Sequence, residues 1–113
     1  MKIEWAYKSV ELAGIVCEAV VCVAQVRDFK VEVVRFPDGK YTAVLRDGKG
    51  KDITPLVSVY DDLHLVTVAD AQARGLYRLR GLISTAVLLV EEYGTGSLVD
   101  TLELIDAHCK AGA

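Results

Sequence analysis

Four short stretches of this sequence hold residue types able to do chemistry. Asp61, Asp62 and His64 form the densest group of potential ligands. Carboxylates with an imidazole can bind a divalent ion or exchange protons. A metal site needs a second cluster at ligand spacing, and none follows. A polar turn running into a strand histidine accounts for the group, so Asp61, Asp62 and His64 are weak metal candidates and no cofactor is expected. His108 and Cys109 are adjacent. Neighbours on a helix point about 100° apart, so the two do not make a nucleophile and its base. Gly94-Thr95-Gly96-Ser97 resembles a phosphate-cradling turn only in composition. No P-loop lysine follows it, no strand precedes it, and Glu91 and Glu92 just upstream would repel an anion.

The fourth stretch is the best candidate surface. Arg74, Arg78 and Arg80 surround Tyr77. Arg74 and Arg78 are one helical turn apart and are expected on one face. Guanidinium groups beside a tyrosine can grip a carboxylate, a phosphate or a base. Ion pairs with the acidic C-terminal segment, which carries Asp100, Glu103 and Asp106, are the plainer expectation for the same charges.

The elements that must position these residues start from a β-hairpin. Residues 29–36 lead into Pro37-Asp38-Gly39, and residues 40–46 return. Proline pre-sets φ, Asp38 suits the next position, and Gly39 can take positive φ. Pairing outward from Asp38 sets Val31 against Leu45, Val33 against Ala43 and Arg35 against Tyr41. Phe29, Val31, Val33, Tyr41, Ala43 and Leu45 then share an apolar face. Lys30, Glu32, Val34, Thr42, Val44 and Arg46 make the mixed one, so the sheet is expected to be covered on one side.

Further strands are expected around Ile53–Val59 and Leu63–Val68. Asp70 is expected to cap a helix reaching about Tyr93, on which Leu76, Leu79, Ile83, Ala86, Val87 and Val90 recur at helical spacing. Gly81 on such a helix suggests that another backbone packs close. Gly94 and Gly96 end it, and Ser97 caps a last helix with Leu98, Leu102, Ile105 and Cys109 on one side. Residues 9–26 are rich in valine, which favours strand. Their polar positions keep a helical stripe, and the helical reading, from about Ser9 to Val26, is preferred. The expected fold is α+β: an antiparallel meander of three or four strands, with hairpin 29–46 central, packed on one face by helices in the order helix, strands, helix, helix.

Length, composition and charge bound the function. The 113 residues suit a single domain over 1–113 with a core that needs no disulfide or metal. Cys17, Cys22 and Cys109 are odd in number and set among apolar neighbours, which suits a reducing, cytoplasmic setting. Glu4 and Glu11 interrupt the place a signal peptide would need, and Glu18 and Gln25 interrupt the longest apolar run, so no membrane role is expected. The chain is 52% hydrophobic, high for so small a body, and self-association is the simplest use of surplus apolar surface.

These features lead first to a small non-enzymatic interaction protein. It would be a homodimer acting through apolar helix faces and the arginines around Tyr77, with itself or another protein as partner. A small-molecule-binding domain or minor enzyme, with an apolar ligand in a pocket between the sheet and helix 70–93, is the alternative. Nucleic-acid binding through Arg46, Lys49, Lys51 and the arginines comes third, because the net charge of −3 opposes it.

Overall fold

A computed structural model describes residues 2–8, 19–54, 65–89 and 93–111. The fold is α+β. Strands β1 (Trp5–Tyr7), β2 (Ala19–Val26), β3 (Phe29–Arg35) and β4 (Tyr41–Arg46) are followed by helices α1 (Val68–Leu89) and α2 (Thr95–Ala111). The strands form one open antiparallel sheet in the order β1-β2-β3-β4.

The β3–β4 register is the one the sequence implies. Val31 pairs with Leu45, Val33 with Ala43 and Arg35 with Tyr41. Gly39 takes φ of 83°. The turn closes through Gly39 N–H donating to the Phe36 carbonyl at 2.9 Å and Lys40 N–H donating to Asp38 Oδ1 at 2.9 Å. Val31, Val33 and Leu45 are fully buried. On the other face, Arg46 pairs with Glu32 diagonally across the two strands.

Residues 19–26 are strand β2 rather than the end of a helix. Val26 pairs with Phe29 across a two-residue turn at Arg27-Asp28, and Arg27 takes φ of 54°. Tight hairpin turns need positive φ, and here a non-glycine residue supplies it. The pairing slips between Val20 and Cys22. Such a bulge breaks the alternation of the two faces. Residues 9–18, where the rest of the expected helix would fall, lie outside the described residues.

The sheet therefore gains its other two strands from the N-terminal side of the hairpin. Asp52 makes one bridge with Arg46, and Leu65 makes one with Tyr41. These short pairings flank β4 where strands over 53–59 and 63–68 were expected. Val66 and Thr67 bend, and Val68 already begins α1. Residues 55–64 lie outside the described residues, Asp61, Asp62 and His64 among them.

The cap of α1 is Thr67, not Asp70. Thr67 Oγ1 accepts the Asp70 N–H at 3.0 Å. Asp70 sits in the first turn, where its charge suits the positive end of the helix dipole. Helix α1 buries Ala71, Gly75, Leu76, Leu79 and Ile83. It lies against β3 and β4 on one side and α2 on the other. Gly94, with φ of 69°, separates the helices. Helix α2 begins at Thr95, which places Ser97 inside the first turn. It buries Leu98, Thr101 and Ile105. Leu79, Ile83 and Ile105 are each 0% exposed, and burial of this kind contributes about 1.5–3 kcal/mol per side chain. Among the described residues, no helix is long and apolar enough to cross a membrane.

Candidate functional site

The residues around Tyr77 divide between two sides of α1. Arg78 is only 9% exposed, although it was expected to share an open face with Arg74. One turn of helix separates the two, yet Arg78 is buried and Arg74 is exposed. Arg80 is exposed and bound to α2. Its Nε donates to Asp106 Oδ1 at 2.6 Å, and the guanidinium reaches Oδ2 at 3.5 Å. The acidic last helix thus takes Arg80 in an ion pair.

Arg74, Tyr77 and Arg80 border an open groove of about 710 Å³. Trp5 of β1 and His108 and Cys109 of α2 border it too. Gln72 ties the edge strand to α1 by donating from Nε2 to the Tyr7 hydroxyl at 3.0 Å. The same amide nitrogen lies 3.5 Å from Cys22 Sγ. Burial pushes the Cys22 thiol up, and the bond from Gln72 partly offsets this. Cys109 is exposed and unbridged.

The glycine turn before α2 does not cradle an anion. The Ser97 hydroxyl donates to Asp28 Oδ2 at 3.1 Å, so a carboxylate already stands at this helix start. The basic hairpin end is also remote in use from the arginines around Tyr77. Arg46 is held by Glu32 and by the Gly50 carbonyl at 3.1 Å, while Lys49 and Lys51 border a different hollow. Among the described residues, no group of three or more histidine, cysteine or acidic side chains could hold a metal ion.

The outer side of α1 carries a feature that charge reading missed. Tyr77, Gly81, Ser84 and Leu88 are spaced by four, three and four residues, which is one line along a helix. Tyr77 is 70% exposed and Leu88 is 83% exposed. Between them Gly81 has nothing within 4 Å of the position a Cβ would take among the described residues. The signal was present in the sequence as a second helical spacing, with Tyr77 and Leu88 at its ends, out of phase with Leu76, Leu79 and Ile83. No protein-family model matches the chain, and comparison with curated proteins and with solved structures found no match.

Proposed function

We propose that this protein is a non-enzymatic interaction module that works as a homodimer through the outer face of α1. The observation that carries the reading is the line Tyr77–Gly81–Ser84–Leu88, exposed at Tyr77, Gly81 and Leu88 and half-buried at Ser84. Large apolar side chains stand at its ends and small residues at its middle. Two such lines related by a two-fold axis, crossing antiparallel between positions 82 and 83, complement each other. Tyr77 of one copy meets Leu88 of the other, and Gly81 meets Ser84. A two-fold interface requires this self-complementarity. Small residues at its centre let the helix backbones approach closely, and tyrosine is enriched at protein interfaces. The sequence reading of Gly81 as a point of close backbone approach is unmet among the described residues, and a second copy would meet it. Arg74 and Arg80 border the line and belong to its polar rim.

The test is solution mass. Sedimentation equilibrium across the micromolar range should give twice the 12.3 kDa of one chain. Leu88→Glu and Tyr77→Glu should give single chains with unchanged circular dichroism, because both side chains are exposed in the lone chain. A wild-type protein that stays at one chain mass at high micromolar concentration would overturn the reading. So would a dimer that Leu88→Glu and Tyr77→Glu leave intact.

A further inference from the structure

On the inner side of α1 a second hollow, of about 470 Å³, opens between the helices and the end of the sheet. Its walls are apolar. Phe29, Ile53, Leu82, Ala86, Tyr93 and Leu98 contribute to them. The Phe29 and Tyr93 rings meet with centroids 5.6 Å apart and planes tilted by 58°. Its polar border comes from the single tight turn after β4, through Asp47, Lys49 and Lys51.

The charges of this turn are not equal in availability. The Asp47 carboxylate is turned onto its own loop, with Oδ1 accepting the backbone N–H groups of Lys49 and Lys51, each at 2.9 Å. The Gly50 N–H also closes the turn onto the Asp47 carbonyl at 3.0 Å, and Gly50 takes φ of 82° to do so. The backbone dipoles thereby offset the negative charge of Asp47, the acidic residue among the described lining of the hollow. Lys49 and Lys51 are exposed, and their long stems let both ammonium groups reach over the opening.

We infer that this hollow binds a small amphipathic carboxylate, with its hydrocarbon body against Phe29, Leu82 and Leu98 and its head at Lys49 and Lys51. Apolar walls with few polar groups at one end orient a ligand by its head, and the volume lies in the range of small-molecule sites. The sign of the rim selects the head. A cationic amphiphile of the same length is repelled by the two lysines, and a neutral one lacks the attraction. The site uses the inner side of α1 and does not rest on dimerisation through Tyr77 and Leu88.

The test is calorimetric titration of the full chain with sodium decanoate below its micelle concentration, against decanol and decyltrimethylammonium. Decanoate should bind saturably at one site per chain. The cation should bind about tenfold more weakly or worse. Lys49→Glu combined with Lys51→Glu changes only exposed side chains of the turn, and it should weaken decanoate by about tenfold and narrow the gap to the cation. Ala86→Trp should fill the hollow and abolish binding in a chain whose thermal melt shows it folded. Should that variant not fold, the lysine pair alone decides. Absence of saturable decanoate binding would overturn the inference, as would equal affinity for the cation or undiminished affinity in the double lysine variant. None of these results depends on the oligomer mass, so this site and the dimer are judged separately.

Discussion

Gly75 stands against Val31 so closely that a Cβ on the glycine would lie 2.5 Å from Val31 Cγ1. The same atom would lie 2.9 Å from the Ala43 Cβ. This one position sets how near α1 comes to the β3–β4 pair. Val31 and Ala43 are both buried, and the Ala43 Cβ moves only with its strand.

Gly75→Ala is therefore expected to destabilise the protein. Alanine gains about 1 kcal/mol of helix propensity over glycine. Forcing a methyl group into a filled core costs about 1–3 kcal/mol. The clash wins because neither neighbour can give way cheaply, and the net loss should be about 1–2 kcal/mol. Gly81→Ala is the internal contrast. Among the described residues nothing lies within 4 Å of its Cβ position, so the propensity gain of about 1 kcal/mol stands unopposed in a dilute, single-chain sample. Urea midpoints should move in opposite directions for the two substitutions. A stabilised Gly75→Ala would mean that α1 sits farther from the sheet than the Val31 distance allows.

The two glycines also mark the limit of what the sequence discloses. Both lie on one helix, and residue type alone does not say which one meets the sheet. The hairpin 29–46 was legible to the residue because turn chemistry and alternation are local and agree at Asp38 and Gly39. Strand β2 was not, for two local reasons. The bulge between Val20 and Cys22 shifts the faces by one residue and erases the period of two. The turn that follows uses Arg27-Asp28, with no glycine to announce it. The true cap, Thr67, and the expected one, Asp70, are both good capping residues. The choice between them follows from Leu65 pairing with Tyr41, which fixes where the chain leaves the sheet. The arginines around Tyr77 were found as residues but not as a surface. Which of them faces solvent depends on the packing of α1 between sheet and α2, and the groove joins Trp5 to His108 and Cys109 from opposite ends of the chain.

The two described cysteines should differ sharply toward thiol reagents. Cys22 is 0% exposed, and burial pushes its thiol pKa up, so both access and thiolate population are reduced. Cys109 is exposed at the groove. The thiolate is the reacting form, and a buried thiol reacts only through opening of the structure. Maleimide labelling followed by peptide mapping should modify Cys109 at least about tenfold faster than Cys22. Urea should remove the difference. Equal rates in native buffer would contradict the burial of Cys22.

The Arg80–Asp106 pair between α1 and α2 should leave a signature in pH rather than in neutral stability. The hydrogen bond from Arg80, opposed by desolvation and aided by the charges of Arg80 and Lys110, holds the Asp106 carboxyl below its ordinary value of 3.8. A folded-state pKa below the unfolded one stabilises the fold above the unfolded value. That contribution is lost as pH falls through the lower, folded value. Both side chains are substantially open to solvent, so salt screens the pair and its effect at neutral pH is small. Asp106→Asn should therefore lower the melting temperature slightly at pH 7 in low salt. The difference from wild type should shrink in high salt. It should vanish at a pH low enough to protonate Asp106 in the folded chain, where wild type has also lost the pair. A difference that persists at that pH would show Asp106 acting through packing at the α1–α2 contact instead of through its charge.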